Sequence, residues 1–210
     1  LLLYFLKSKI IESSIDFYNN LREFLSGIGE VRREEYYAYF FTELKPIFKA
    51  EFSKKIEGRI KDSPEIYEQK RELGENDNYI CELIRNDSID EFKNFLTQNK
   101  IELSSRIERS FYETNRYLLK NSAKLIEYSA FFGSTKIFKY LFENGAKCSD
   151  YLWIYVIHGN NSEIINYLEE KKVPPSNKPY CNYILVVGND WNHVCDDNVE
   201  YKVCLKKTFR

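Results

Sequence analysis

Two histidines, His158 and His193, and five cysteines, Cys81, Cys148, Cys181, Cys195 and Cys204, are the residues best suited to nucleophilic or metal chemistry. A Cys–His nucleophile needs a thiol beside an imidazole, a third group that orients the base, and oxyanion donors. Cys148 lies in the connector that precedes the segment of His158, but no orienting group or oxyanion feature accompanies the two. Cys181, His193, Cys195 and Cys204 would be the zinc set, yet they contain no CxxC knuckle, and His193-x-Cys195 is cramped for tetrahedral coordination. The carboxylate pairs Glu34-Glu35, Glu169-Glu170 and Asp196-Asp197 read as solvated faces. Gly27-Ile28-Gly29 lacks the third glycine and the preceding strand of a phosphate loop. These residues predict no catalytic, cofactor or metal site. The alternative is a helical enzyme or metal-binding protein that uses the C-terminal Cys/His set.

Bulk composition narrows the class. The chain has 210 residues, 43% hydrophobic and 30% charged, as in ordinary soluble domains. Lys and Arg total 31 against 32 Asp and Glu, and the balance holds along the chain, so no basic stripe is available for nucleic acid. An odd number of scattered cysteines predicts reduced thiols and an intracellular, cytoplasmic location. The opening Leu1–Leu6 run is too short to span a bilayer, and Lys7 and Lys9 end it. Neither membrane insertion nor a small-molecule substrate is expected. Asn86-Asp87-Ser88 and Asn160-Asn161-Ser162 match glycosylation sequons but read as helix N-caps. Methionine is absent and residue 1 is Leu, so a fragment or processed form is expected. The aromatic residues, 16% of the chain, are spread diffusely and suit cores and helix seams.

Residues 1–67 form a helical N-terminal segment without a clear repeat. Ile10, Ile15, Phe17, Leu21, Phe24 and Leu25 approximate one apolar face, ended by Gly27 and Gly29. Val31–Leu44 is a second helix, and after Pro46 a third is expected near Ile47–Lys61. Asp62-Ser63-Pro64 reads as a cap with proline at the first helical position. That helix should run to about Leu73, closed by Gly74.

Three later stretches, Tyr79–Ile101, Lys124–Ala146 and Tyr151–Val173, read as one unit repeated. The last two overlay without a gap at an offset of 27, Leu125 falling on Leu152, Tyr128 on Tyr155 and Leu141 on Leu168. The first overlays on the third at an offset of 72, Leu96 falling on Leu168. Each unit is a short helix, a polar turn and a longer helix. In the middle unit these are about Ala123–Phe132, Gly133-Ser134 and Thr135–Asn144, with Gly145 at the left-handed closing position. In the third, Ser162 is the expected cap. The second helices carry apolar residues at i, i+1, i+3 and i+4, namely Ile137, Phe138, Tyr140, Leu141 and again Ile164, Ile165, Tyr167, Leu168. The long connector Glu102–Ser122 holds at most a short helix near Asn115–Leu119. Pro174-Pro175 ends the third unit. Residues 174–210 then read as a degenerate fourth repeat or an irregular tail, because Tyr180–Val187 and Gly188-Asn189-Asp190 echo the segment around Gly159. The alternation of Val199, Tyr201 and Val203 makes a strand the competing reading there.

The middle unit resembles an ankyrin repeat. Ser129-Ala130 stand at the small pair of the inner helix and Gly133 at the inter-helix turn. Ile137-Phe138 and Tyr140-Leu141-Phe142 stand at the outer-helix runs, and Gly145-Ala146 at the close. The Thr-Pro-Leu-His opening is missing, and an offset of 27 falls short of the roughly 33 residues of an ordinary repeat. A wider resemblance spans about Glu68–Val173. It is carried by Glu68-Gln69-Lys70-Arg71, Gly74-Glu75-Asn76-Asp77, Tyr79–Ser88, Tyr112-Glu113-Thr114-Asn115, Phe131-Phe132-Gly133-Ser134 and Ile157-His158-Gly159-Asn160. These segments resemble the divergent ankyrin-repeat proteins of parasitic protists, whose uncharacterised ankyrin-type domain has no assigned activity.

The expected fold is therefore all-α. A helical segment, 1–67, precedes a short ankyrin-like helix-turn-helix solenoid, 68–173, with reduced or absent β-hairpin fingers, and then the tail. The expected function is protein–protein recognition or scaffolding without catalysis, toward an unidentified protein partner. Glu127, Phe131, Ile154 and His158, at variable repeat positions on inner helices, are the expected contacts. A truncated, non-functional copy of an expanded repeat family is the further alternative.

Overall fold

A computed structural model describes residues 14–26, 29–115, 118 and 122–174. Among them are eleven α-helices and no strand; Arg106 and Lys124 form an isolated antiparallel bridge. The all-α class expected from the sequence is observed. Two compact units are present. Among the described residues, the first runs to Asp77 and takes in Arg109–Asn115, and the second comprises Asn78–Glu108, Leu118 and residues 122–174. The first thus reaches ten residues past the expected boundary at 67/68. Beyond Pro174 the tail, with Cys181, His193, Cys195 and Cys204, lies outside the described residues, as do Ile10 and the Leu1–Leu6 run. Of the short helix expected at 115–119, only Asn115 and a helical Leu118 are described.

The first unit contains α1 (Ser14–Phe24), α2 (Glu30–Tyr39), α3 (Phe41–Leu44), α4 (Ala50–Glu57) and α5 (Pro64–Leu73). Phe17, Leu21 and Leu25, four residues apart, line the buried stripe of α1 and the turn after it. A continuous helix was expected over Val31–Leu44, but it breaks at Phe40. The Tyr67 hydroxyl enters the break: it accepts a hydrogen bond from the Phe41 amide (3.1 Å) and donates to the Ala38 carbonyl (2.7 Å). A side chain inserted into the backbone ladder is a sufficient cause of such a kink. The α5 start and stop follow the sequence reading. Pro64 follows the Ser63 N-cap, whose side chain accepts from the Ile66 amide at 3.4 Å, and Gly74 closes the helix at φ +65°.

Arg71, on α5, has a fully buried side chain. Its guanidinium meets Glu43 at 2.6 Å and Glu68 at 2.8 Å, and lies 5.5 Å and 5.1 Å from the ring centres of Tyr39 and Tyr67. The Tyr39 hydroxyl donates to the Arg71 carbonyl at 2.9 Å. Burial pushes the Tyr67 phenol up to about 12, so this hydroxyl stays protonated and able to donate at neutral pH. A cation removed from water needs such partners, because desolvation otherwise exceeds any local gain.

The second unit is three helix pairs: α6 (Tyr79–Arg85) with α7 (Ile89–Asn99), α8 (Leu125–Phe131) with α9 (Thr135–Glu143), and α10 (Leu152–Gly159) with α11 (Ser162–Glu170). First helices pack in the order α6, α8, α10, and second helices in the order α7, α9, α11. Ile84, Ile126, Ile137, Phe138, Leu141, Val156, Ile164 and Leu168 fill the layer between. The repeat is also written in the backbone. Asp87, Gly133 and Asn160 turn each pair in the left-handed region, and Lys100, Gly145 and Lys172 close each second helix there. Each close is tied by the same long bond: Ile101 N–H to Leu96 O, Ala146 N–H to Leu141 O, and Val173 N–H to Leu168 O, all within 3.0 Å.

The turns are hydrogen-bonded in series. The Asp87 carboxylate accepts from the amides of Lys136 (3.0 Å) and Ile137 (2.9 Å), so the first pair caps the second helix of the next. Ser134, freed from that task, donates to the Ile84 carbonyl at 2.5 Å. Asn161, not the expected Ser162, caps α11 by accepting from the Glu163 and Ile164 amides. Its amide nitrogen donates back to the Gly133 carbonyl at 2.9 Å. An amide can accept and donate at once, whereas the Ser162 hydroxyl sits one residue inside the helix. Gly159 permits the closest approach: a Cβ there would overlap the Ala130 carbonyl oxygen.

Two outcomes follow from these contacts. Glu43→Gln with Glu68→Gln strands the buried cation and should cost about 3–5 kcal/mol. Arg71→Met should cost less, because both carboxylates it leaves retain exposure, and hydrogen exchange across α2, α3 and α5 ranks the two. Gly159→Ala should destabilise the second unit by about 1–3 kcal/mol through overpacking. Gly58→Ala, at an ordinary helical φ of −64°, should shift the urea midpoint little.

Candidate recognition surface

The left-handed turn residues give the register of the surface. Two residues before Asp87, Gly133 and Asn160 stand Arg85, Phe131 and His158, one at the end of each first helix and all half-buried. Because Gly159 lets α10 close on the carbonyl end of α8, the His158 ring lies 5.5 Å from Phe131, inclined by 33°. Phe131 also meets Phe132 at 5.1 Å, and Phe132 meets Tyr128 at 4.7 Å. Arg85 donates to the Tyr128 hydroxyl at 2.9 Å and lies 5.9 Å from the Phe132 ring centre. A cation, a patch of aromatic rings and an imidazole therefore run across the first helices of three successive pairs.

Phe131 and His158, both singled out in the sequence, are brought together. Ile154 lies one turn before His158 on α10 and keeps partial exposure. Glu127 is placed differently from its expected role. It is 3% exposed; one oxygen accepts from the Lys124 amide at 2.7 Å and the other from the Ser149 hydroxyl. Its carboxylate is committed to starting α8 and holding the connector before α10, which leaves little surface for a partner. Arg85 was missed because the first helix pair of the second unit is one residue out of step across its turn. The left-handed turn restores the alignment, but Asp87 does not announce that conformation as Gly133 does. Trp153, on the same first helix as Ile154 and His158, is buried.

The titration of His158 runs against its place near a helix C-terminus. A helix C-terminus favours an imidazolium, yet burial lowers the pKa of His158 below the ordinary value of 6.5. The cause is desolvation of the charged form. Cys148 is exposed, yet neighbouring protein desolvates its thiol and pushes it up; Lys124 lowers it and Glu127 raises it further. An activated nucleophile needs the opposite shift. Among the described residues no group of three or more His, Cys, Asp or Glu is arranged to hold a metal ion, and no helix is long and apolar enough to cross a membrane.

Comparison with protein-family models, curated proteins and solved structures finds no match to the chain. The family resemblance thus rests on the residues and spacing that carry it.

The lowered pKa of His158 predicts an acid-sensitive second unit. With its folded pKa lowered, its stabilising contribution is present above the unfolded value of about 6.5 and is lost as pH falls through the folded value. Melting the chain at pH 7.5 and 5.5 should show a decline that His158→Gln reduces. An equal decline in the variant would mean that other groups carry it.

Proposed function

We propose that this chain is a protein–protein recognition module of ankyrin-like type that acts on an unidentified protein partner without catalysis. The observation that carries the reading is the row of Arg85, Phe131 and His158, repeated at equivalent turns of three stacked helix pairs. Half-buried aromatic and arginine side chains on a rigid backbone suit recognition, because little rotamer entropy remains to be lost on binding. The serial hydrogen bonds between turns supply that rigidity. Glu127 is buried and committed to hydrogen bonds with Lys124 and Ser149, which leaves it unsuited to acid–base work. The contact set proposed is Phe131 and His158, with Ile154 and Arg85 flanking.

The test is affinity capture from a lysate of the source cell with the whole chain as bait. Phe131→Ala with His158→Ala should weaken a captured partner by about 30-fold or more, the effect of losing a central anchor. Glu91→Ala, an exposed change on α7, should leave capture unchanged. A partner retained by a double variant that still melts cooperatively would place recognition elsewhere.

A further inference from the structure

The first unit contains a segment that enters it from a distant part of the chain. Residues 109–115 follow α6 and α7 in sequence, yet they pack with residues up to Asp77. The segment is a turn, with the Glu113 amide 3.3 Å from the Ser110 carbonyl and the Tyr112 amide donating to the Ser110 hydroxyl at 3.1 Å. Alternate residues carry its contacts. The Ser110 hydroxyl donates to Asp77 at 2.6 Å, and the Tyr112 hydroxyl donates to Asp62 at 2.7 Å. Thr114 gives both its amide (3.0 Å) and its hydroxyl (2.9 Å) to the Gly74 carbonyl.

The receiving surface is built around α5. Lys70 bridges Asp62 before the helix and Asp77 after it, at 2.8 Å and 2.9 Å, and its ammonium lies 5.3 Å from the centre of the Tyr112 ring. Tyr67 flanks that ring with a centroid separation of 6.0 Å. Tyr112 is 1% exposed. The surface offers an aromatic slot, a carboxylate at the bottom for a phenol, a second carboxylate for a hydroxyl two residues earlier, and a carbonyl for a threonine two residues later. Its charged parts, Asp62, Lys70 and Asp77, are fixed by each other, as in a peptide-recognition site.

We infer that Asp62, Tyr67, Lys70, Gly74 and Asp77 form a binding site for a turn of the type Ser-x-Tyr-x-Thr, filled in cis by residues 110–114. The occupant is a short peptide joined to its site by the chain, so the high local concentration of the tether favours docking. A second chain bearing the same turn would compete for the site. This inference is independent of the recognition row.

The test vacates the site and refills it. In full-length Tyr112→Ala, a blocked peptide of residues 109–115 should slow hydrogen exchange across 62–77 in a saturable way. Wild-type chain, whose site is filled, should respond far less. The same peptide carrying Tyr112→Phe should bind about tenfold more weakly or worse, because it lacks the hydrogen bond to an ionised carboxylate. If exchange at about 10 mM peptide, above the millimolar order of a short tether, stays unchanged, the inference is overturned. Equal slowing in wild type and variant also overturns it. Should Tyr112→Ala leave the first unit unfolded, Ser110→Ala with Thr114→Ala weakens the strap while keeping its ring. Peptide must then bind that variant more tightly than wild type, and equal binding would refute the site.

Discussion

The close approach of α10 to the end of α8 sets the geometry of the second unit. Gly159 has no side chain, and the carbonyl of Ala130 occupies the space one would need. With the two backbones this close, the Asn161 amide reaches Gly133 and the His158 ring reaches Phe131. The pairing of His158 with Phe131 thus depends on the missing side chain at 159. A side chain at 159 would move the imidazole as well as the helix, so stability and surface geometry are coupled at this point.

The first unit solves a different problem. Its core is rich in tyrosine and phenylalanine, which bring area but also hydroxyls that must be satisfied. Tyr67 and Tyr39 meet that demand on backbone groups, Tyr67 at the break between α2 and α3 and Tyr39 at the carbonyl of Arg71. Their ring faces then receive the guanidinium. The same residues therefore satisfy the helix break and shelter the charge. Had the α2–α3 helix been continuous, the Phe41 amide and the Ala38 carbonyl would have been engaged in the helical ladder, and the Tyr67 hydroxyl would lack these partners.

The helices and the repeat were legible because they rest on periodic apolar residues and local punctuation. Pro64, Gly74, Gly133 and Gly145 each announce a conformation that no other local reading explains. What the sequence hid was long-range hydrogen bonding. Nothing in Asn86-Asp87-Ser88 indicates that Asp87 caps a helix 49 and 50 residues away. Asn161 and Ser162 are both good capping residues, and only the position of the first helical residue chooses between them. Phe131 and His158 were found because a gapless offset aligned them. Arg85 was not, because a longer α7 hides the register. Glu127 looked variable and exposed by repeat position, but a carboxylate three residues into a first helix can turn back to its own N-terminus, and here it does.

The length of the 102–122 connector, unexplained by the repeat pattern, has a physical reason. Its ends serve the second unit: the Ile107 amide donates to the Ala123 carbonyl at 2.7 Å and the Leu125 amide to the Ser105 carbonyl at 3.0 Å, around the Arg106–Lys124 bridge. Its middle serves the first. A connector between neighbouring helix pairs needs only a few residues, and the surplus is the turn that carries Ser110, Tyr112 and Thr114. Burial opposes ionisation of Asp62, yet the hydrogen bonds from Lys70 and Tyr112 outweigh it and hold its carboxyl below the usual range. Burial likewise works against the Lys70 charge and is overcome by Asp62 and Asp77. A surface poised with both signs of charge already in place has little left to reorganise when the turn arrives, which is why so short a segment can hold there.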